Sequence, residues 1–341
     1  MMDDVLFETR GAAGLITLNR PKALNALTHG MCVAIKAQLD EWAHHDAVKT
    51  VIIQSAGERA FCAGGDIRSL YESGKACTSY ALDFYHDEYV LNATIKHYPK
   101  PYIALIQGIV MGGGVGVSVH GSHRVAGETT TFAMPETGIG LFPDVGGSYF
   151  LPRCPGQIGL YLGLTGARLK TTDTLYSGVA THFVPMAKWP ALIDALAAGT
   201  APDAAIAQDN VPDTFLLEHR ATIDRVFALN SIEEILAALD NEHTDWCDDT
   251  AKAIRSKSPT ATKIAFRQLR EGAKLEFDDC MKMEWRMVNR VVKGHDFYEG
   301  VRATIIDKDG TPKWDPPNLA AVTDTAVDAY FAPLEEKELS L

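Results

Sequence analysis

The sequence has few of the features that mark membrane, secreted or disulfide-rich proteins. No uncharged stretch approaches the ~20 apolar residues that a membrane-spanning helix needs. The six cysteines are scattered and form no CxxC pair. This usage is typical of a reduced protein, so we expect a cytoplasmic location. The acidic opening, MMDDVLFETRGAAG, has no long apolar run, and we expect no signal or transit peptide.

Positive charge is also scarce. Lysine and arginine total 32 against 44 aspartates and glutamates, which gives a formal net charge of −12. An acidic balance argues against nucleic acid or an anionic membrane as a partner. It does not exclude an anionic small ligand held by local basic residues. The 341 residues, 46% of them hydrophobic, are enough for a large core plus a smaller domain or extension.

The glycine-rich stretch 108–150 lacks the familiar nucleotide and nucleophile motifs. No lysine follows its glycines, as a phosphate-binding loop requires, and Val117 stands where a dinucleotide fingerprint needs its third glycine. The segment 116–120 ends on His120 instead of the glycine that completes GxSxG. His120 and His123 have no carboxylate at metal-ligand spacing. We expect neither a cofactor nor a metal.

Hydrophobic periodicity predicts an α/β core followed by helices. Short apolar runs predict strands, and three- and four-residue spacing predicts helices. The predicted strands are 15–18, 51–53, 102–106 and 131–133, and the predicted early helices are 24–42 and 68–98. Strand signals nearly vanish after residue 184, and the helical patterns lie at 156–162, 190–240 and 246–303. We therefore divide the chain into a core, 1–200, and a helical C-terminal region, 201–341.

Two glycine turns indicate places where backbone N–H groups face a ligand. One is the run 112–116, which opens an apolar segment, and the other is Gly64-Gly65 after a predicted strand. Glycine allows close approach of the backbone, and the first N–H groups of a helix have no partner within it. The run 112–116 therefore suits an anion or a developing oxyanion. For the second turn, the residues favour two interpretations equally: a plain loop, or a turn whose Ala63 N–H donates to a ligand.

Three carboxylates are candidates for acid–base or nucleophilic chemistry. Glu136 and Asp144 lie in a Gly/Pro-rich segment just after the glycine run, where they offer a base or nucleophile. Glu88 lies on a predicted helix, and a lone glutamate there is usually a solvated surface residue. Cys62 has no partner that would activate it, which favours a buried structural thiol.

Several long motifs, in order, resemble those of the enoyl-CoA hydratase/isomerase (crotonase) superfamily. They are LNRPKALNAL, AFCAGGDI, GIVMGGGVGVSVHGSHRVA, FAMPETGIGLFPDVGGSYFLPR, LTGARL and GVATHFVP. The MGGGVG run, IGLFPDVGG and the C-terminal segment from SPTATKIAFRQL to HDFYEGVRATIIDKDGTPKW are similar to the 3-hydroxyisobutyryl-CoA hydrolase branch. The resemblance implies a crotonase-like spiral of β-β-α turns with a helical C-terminal region. It also implies a homo-oligomer, a trimer or a hexamer.

The same resemblance implies an acyl-CoA site. The thioester carbonyl would lie between the backbone N–H groups of Ala63 and Gly113. Lys22, in the NRPKA segment that would line the CoA nucleotide, is the expected phosphate contact. Substrate contacts as a whole are implied at Lys22, Ala23, Gly64, Asp66, Glu88, Gly113, Glu136 and Asp144.

One departure from the hydratase pattern decides the expected reaction. Hydratases use two glutamates, and the position of the first is Gly116 here, while the second matches Glu136. Asp144 stands where hydratases typically have glycine. The resemblance thus implies hydrolysis of 3-hydroxyisobutyryl-CoA, or a related short 3-hydroxyacyl-CoA, as in valine catabolism. An isomerase with one glutamate base, an unusual hydratase or dehydratase, and a non-catalytic acyl-CoA-binding protein stay open alternatives.

The implied mechanism centres on Glu136. It either attacks the thioester to form a mixed anhydride or activates a water, while the oxyanion hole polarises the carbonyl. Asp144 would orient or deprotonate the water and can bond the 3-hydroxyl, which Glu88 would share. Carboxylates close together repel, so we expect at least one raised pKa, which suits a base near neutral pH.

Overall fold

The computed structural model describes residues 4–206 and 214–341, apart from the side chain of Glu336. Its strands are β1 Val5–Arg10, β2 Ala13–Leu18, β3 Thr50–Ser55, β4 Ala60–Cys62, β5 Tyr102–Ile106, β6 Ile109–Met111, β7 His123–Ala126, β8 Thr131–Ala133, β9 Leu169–Lys170 and β10 His182–Phe183. Its helices to residue 205 are α1 His29–His44, α2 Ile67–Lys75, α3 Tyr80–Lys96, α4 Gly113–Gly116, α5 Gly147–Phe150, α6 Ile158–Thr165, α7 Thr171–Tyr176, α8 Trp189–Ala197 and α9 Pro202–Ala205. The later helices are α10 Phe215–Val226, α11 Ile232–Glu242, α12 Asp245–Arg255, α13 Pro259–Gly272, α14 Phe277–Val291, α15 His295–Val301 and α16 Asp324–Phe331.

A six-stranded sheet has the order β1-β2-β3-β5-β7-β10. β1 and β2 form an antiparallel hairpin, and the remaining pairs are parallel. The central strands carry continuous apolar runs because parallel strands are covered on both faces. Such runs made β2, β3 and β5 predictable. β1 was missed, since most of its residues are partly or fully exposed and its pattern is weak.

A second sheet, of order β4-β6-β8-β9, places the two glycine turns. β4 and β6 run parallel, with Cys62 opposite Val110. Parallel neighbours end at the same sheet edge, so the turn after β4 and the turn after β6 lie side by side. The first turn contains Gly64 and Gly65, and the second leads into α4.

Two predicted helices have different bounds in the structure. The first begins at His29 instead of residue 24, because Leu24 and Asn25 have left-handed φ values of 51° and 56°. Thr28 caps α1, its side chain accepting a hydrogen bond from the Met31 N–H. The predicted helix 68–98 is two helices, α2 and α3, interrupted near Cys77, which has a φ of 54°.

The predicted helical patterns in the C-terminal half are confirmed for the described residues. The pattern at 190–240 corresponds to α8–α11, with its part at 207–213 lying outside the described residues. The pattern at 246–303 corresponds to α12–α15, followed by a π-helical turn at Arg302–Ile306. Among the described residues, no helix is both long enough and apolar enough to cross a membrane.

The chain forms two compact units, each built from three stretches. The first comprises the described residues within Met1–Asp66, Asp87–Phe132 and Arg168–Leu217. It contains the six-stranded sheet, one face of which packs against helix α8. This core includes Leu15, Ile52, Ile103, Leu105, Val125, Trp189, Leu192 and Leu196.

The second unit comprises Ile67–His86, Ala133–Ala167 and Glu218–Leu341, Glu336's side chain excepted. It is mainly helical, with α13 packed on α5 and α6. Ring contacts tie these helices to their neighbours: Tyr149 lies 5.3 Å from Phe277, and Tyr161 lies 5.5 Å from Phe227. Both units draw on stretches from either side of residue 200, and the division into 1–200 and 201–341 stays a prediction.

Candidate active site

Gly65 and Gly113 present two backbone N–H groups at adjacent turns of the first unit. In the part of the chain that the structure describes, no group accepts a hydrogen bond from either N–H. A Cβ atom added to Gly113 would lie 3.4 Å from the Gly65 nitrogen, and one added to Gly64 would lie 3.9 Å from the Gly113 nitrogen. Two such donors close together can bind a carbonyl oxygen that becomes negatively charged.

Ala63, the donor expected from sequence, does not fit this role. Its N–H donates to the carbonyl of Leu24 at 3.1 Å. Nearby, the Leu27 N–H donates to Gly64 and the Asp66 N–H donates to Leu27, each at 2.8 Å. The pairing of these two segments therefore uses the Ala63 N–H, whereas none of its hydrogen bonds involves the Gly65 N–H. It is a tertiary contact, and no spacing within AFCAGGDI could have revealed it.

Close packing accounts for the glycine run after β6. Gly112 has φ 48° and ψ −125°, a conformation that side chains disfavour. At Gly113 a Cβ would overlap the Glu88 carboxylate and lie 3.0 Å from Leu27. At Gly114 it would overlap the carbonyl of Cys62. Each of these glycines is thus required where the turn approaches its neighbours.

Glu88 is a buried residue of α3, not the solvated one that its helix position alone suggested. Its side chain is 2% exposed, and Oε1 lies against the backbone of Gly113. Burial raises the pKa of two nearby thiols, Cys32 and Cys62, and brings that of Cys62 to about 12. The negative charge of Glu88 is a smaller cause that raises both pKa values further. Cys62 is therefore a neutral structural thiol, and the acidic group beside the donors is Glu88.

The NRPKA segment is tied to the Gly64-Gly65 turn through Arg20, which the sequence reasoning did not single out. The Arg20 guanidinium lies 3.2 Å from the Asp66 carboxylate and donates to the Ala26 carbonyl at 2.6 Å. Asp66, an expected substrate contact, is thus engaged by Arg20. Lys22 and Ala23 are exposed residues of the 3-10 turn Pro21–Ala23.

Glu136 and Asp144 both lie buried in the second unit. Glu136 opens the 3-10 turn Glu136–Ile139 and is 5% exposed, and Asp144 is 3% exposed. Within the described residues, Oε2 of Glu136 has no hydrogen-bond partner. Burial, and then the charge of Asp144, raise the pKa of Glu136 well above its usual range. This environment favours the neutral, protonated form of the carboxyl group.

Glu284 is a third buried carboxyl group in this unit, and sequence reasoning missed it. It lies on α14, is 0% exposed, and accepts hydrogen bonds from the N–H groups of Gly146 at 2.8 Å and Ser148 at 2.9 Å. The Ser148 hydroxyl donates to the same carboxylate. Burial raises its pKa to about 8. Its neighbours three and four positions away on α14 are apolar and buried: Cys280, Met281, Met287 and Val288. That spacing is the sequence signal that could have found it, because an acidic residue in an apolar helix face needs partners.

The two units therefore hold different parts of the predicted site. The first contains the N–H donors of Gly65 and Gly113 with Glu88 against them. The second contains Glu136, Asp144 and Glu284. Among the described residues there is no cluster of three His, Cys, Asp or Glu side chains with metal-binding geometry.

Comparisons with known proteins agree on one family and one fold. A model of the enoyl-CoA hydratase/isomerase family matches residues 13–331. A relative from Danio rerio, named 3-hydroxyisobutyryl-CoA hydrolase, mitochondrial, is 50% identical over 350 residues, covering 99% of this chain and 92% of its own length. A crystal structure of an enoyl-CoA hydratase from Rhodobacter sphaeroides 2.4.1 superposes with a TM-score of 0.95 at 42% identity, covering 99% of this chain and 100% of that chain. A crystal structure of a carnitinyl-CoA dehydratase from Mycobacterium thermoresistibile superposes with a TM-score of 0.94 at 44% identity, covering 99% of this chain and 98% of that chain.

The expected cytoplasmic location is wrong, because curated relatives, including the one from Danio rerio, are named mitochondrial. The expectation rested partly on the scattered cysteines, and all six are indeed free thiols. Free thiols persist in any reducing compartment, so they could not distinguish one such compartment from another.

Proposed function

The chain belongs to the enoyl-CoA hydratase/isomerase family, and on this premise we propose that it hydrolyses the thioester of 3-hydroxyisobutyryl-CoA, or a related short 3-hydroxyacyl-CoA, to the free acid and CoA. Proteins of this family bind acyl-CoA. The crotonase-like α/β fold predicted from the motifs is confirmed by the two solved relatives. The name of the Danio rerio relative supports the hydrolase assignment at 50% identity.

The observation that carries the proposal is the carboxylate pattern. Gly116 lies buried in α4, where the superfamily resemblance implies that a hydratase has its first glutamate. Hydration needs two acid–base groups, whereas acyl transfer needs an oxyanion site and one carboxylate. Glu136 and Asp144 supply buried carboxyl groups without a carboxylate at position 116. Hydration or dehydration is the second candidate, favoured by the names of the two solved relatives.

In the proposed reaction, the N–H groups of Gly65 and Gly113 bind the thioester oxygen. Their contribution grows as the carbonyl becomes tetrahedral and negatively charged, so it lowers the barrier instead of merely tightening binding. Removing one oxyanion donor from an enzyme typically costs about 3 kcal/mol of transition-state stabilisation. Gly65 takes the role first expected of Ala63, because the Ala63 N–H is engaged by Leu24.

Glu136 is the proposed nucleophile or general base. As a nucleophile it attacks the carbonyl carbon, CoA leaves as the thiolate, and water then cleaves the mixed anhydride. As a base it takes a proton from the water that attacks directly. A single turnover in ¹⁸O-labelled water separates the two routes, since only the anhydride route can place label in the Glu136 carboxylate when water attacks the enzyme's acyl carbon.

The acyl group's 3-hydroxyl is the proposed partner of Asp144 and Glu88. Glu88 lies against Gly113, whose N–H would bind the carbonyl, and so is placed for a hydroxyl close to that carbonyl. Asp144 additionally orients the attacking water. Lys22, on its exposed turn, is the proposed contact to a CoA phosphate, while Ala23 and Gly64 contribute backbone surface.

We also propose that residues 1–200 form the functional acyl-CoA-binding core and that the protein assembles as a trimer or hexamer. Family members are often oligomeric. Light scattering coupled to size-exclusion chromatography tests the assembly, and a monomer at micromolar concentration would contradict it.

To test the function, the protein is incubated with a panel of acyl-CoA thioesters while two signals are recorded in parallel. Free thiol reports hydrolysis, and enoyl absorbance reports hydration or dehydration. We expect rapid thiol release from 3-hydroxyisobutyryl-CoA and little change in enoyl absorbance with crotonyl-CoA. Fast hydration without thiol release would establish the second candidate instead.

A further inference from the structure

The loop that carries Asp144 is attached at both ends to two C-terminal helices of the same unit. On one side, Nε2 of Gln268, on α13, donates to the Pro143 carbonyl at 2.7 Å. On the other side, Glu284, on α14, accepts from the Gly146 and Ser148 N–H groups and from the Ser148 hydroxyl. These contacts bracket Asp144 from the residue before it to the turn after it.

The backbone of this loop needs such support. Val145 has a φ of 51° and Gly146 a φ of 84°. A β-branched residue in the left-handed region is a rare outlier. Conformations of this kind persist when the surrounding structure over-determines them, and they cluster at functional sites. Val145 follows Asp144 directly, so the strained backbone lies next to the Asp144 carboxyl group.

All the hydrogen bonds described for Glu284 end on this loop. The carboxylate is fully buried, on a helix face that also buries Cys280, Met281, Met287 and Val288. An apolar side chain of similar size would fill the same space without the cost of burying a carboxyl group. What such a side chain could not do is accept hydrogen bonds from the two N–H groups of the turn.

We propose that Glu284 is a positioning residue, which holds the Gly146–Ser148 turn and thereby aims Asp144, with Gln268 as the second anchor at Pro143. The inference rests on the proposed function in one respect, namely that Asp144 takes part in hydrolysis. It assigns the helices α13 and α14 a part in the chemistry, as the scaffold of a catalytic loop.

A double-mutant cycle tests whether Glu284 acts through Asp144. Glu284→Gln keeps the shape of the side chain but turns one acceptor into a donor facing an N–H group. We expect it to lower kcat by about 10- to 100-fold, as misplacement of a catalytic group by roughly 1 Å does. In an Asp144→Asn background the same substitution should lower kcat by less than about twofold. If the two losses multiply, Glu284 does not act through Asp144 and the proposal is overturned.

Asn289→Leu is the matched control on the same helix. Asn289 is buried, and the one hydrogen bond described for its side chain within residues 4–206 and 214–341 goes to the Trp285 carbonyl of its own helix. We expect this variant to lose stability without a change in kcat. A loss of kcat equal to that of Glu284→Gln would show that any disturbance of α14 has the same effect, and would overturn the positioning role. If Glu284→Gln fails to fold, Gln268→Met, which removes only the bond to Pro143, takes its place in the cycle.

Hydrogen exchange separates failure of this inference from failure of the proposed function. Wild-type protein that releases no thiol from any acyl-CoA contradicts the function. Amide exchange over residues 144–148 then still tests the attachment. Faster exchange in Glu284→Gln, with no change in Asn289→Leu, supports the positioning role, and unchanged exchange in both overturns it.

Discussion

The carboxylate of Glu88 lies directly against the backbone of Gly113, so that even a methyl group on Gly113 would overlap it. This contact puts a buried acidic group beside one of the two N–H donors of the proposed oxyanion site. Gly113 therefore meets two separate requirements: its N–H is a proposed donor, and its lack of a side chain leaves room for Glu88. The two needs can be tested separately.

Gly113→Ala and Gly113→Pro both add a Cβ, and only the proline removes the N–H. The proline ring also fixes φ at residue 113 and restricts the backbone of Gly112. Gly113 is the first residue of α4, a position where proline is tolerated. We expect Gly113→Ala to destabilise the fold by about 1–3 kcal/mol through overpacking against Glu88. Gly113→Pro should show a similar loss of stability and a further loss of about 3 kcal/mol in kcat/KM.

Gly30→Ala is the control for the glycine series. Gly30 is exposed on α1, where an added Cβ would meet only Thr28 Oγ1, at 4.0 Å. We expect unchanged kinetics and a gain in stability of roughly 0.5–1 kcal/mol. Equal kcat/KM for Gly113→Ala and Gly113→Pro would remove the Gly113 N–H from the oxyanion site.

Glu136→Gln should abolish thiol release and, at pH 8, make the protein more stable. The pKa of Glu136 in the folded state is raised, so its contribution to stability is fully present below the ordinary glutamate pKa and is lost as pH rises through the raised value. Glutamine does not titrate, so the variant loses no stability from this position over that pH range. The variant's advantage in the free energy of unfolding should therefore grow from pH 5 to pH 8.

Urea unfolding at the two pH values measures this advantage. Glu58→Gln, at an exposed position, is the control for removing one glutamate charge. A Glu136→Gln protein that still releases thiol at the wild-type rate would make Glu136 a structural residue of its turn, and the mechanism proposed above would be wrong.

Asp144→Asn should lower turnover and weaken the preference for 3-hydroxyacyl substrates. An amide can still bond the 3-hydroxyl, but it cannot act as a base or hold water as a carboxylate does. We expect a loss of about 10²- to 10⁴-fold in kcat, the usual contribution of general acid–base catalysis. The measurement is kcat/KM for 3-hydroxybutyryl-CoA against butyryl-CoA. A preference unchanged from wild type would separate Asp144 from hydroxyl recognition.

Gly116→Glu restores a carboxylate at the position that the resemblance assigns to the first hydratase glutamate. We expect measurable hydration of crotonyl-CoA and slower thiol release, with reduced stability because a carboxyl group is buried in α4. Gly116→Gln adds the same bulk without the acid–base group and should gain no hydration. Hydration by both variants, or by neither, would argue that position 116 does not decide the reaction.

The family motifs and local patterns were readable from the sequence. Apolar runs predicted β2, β3 and β5, since a buried parallel strand needs apolar side chains on both faces. Three- and four-residue spacing predicted the C-terminal helices. The order of the long motifs identified the superfamily, and the absence of a carboxylate at position 116 indicated a hydrolase. These features depend on residues that are neighbours in the chain.

Only the tertiary structure decided which groups are available for chemistry. The Ala63 N–H is engaged by Leu24, so Gly65 replaces Ala63 as the proposed donor. Glu88 is buried against Gly113, although its helix position alone suggested a solvated residue. Glu284 holds the turn after Asp144 from 138 positions away along the chain. Hydrogen-bond partners and burial are set by contacts between distant segments, and periodicity along one segment carries no information about them.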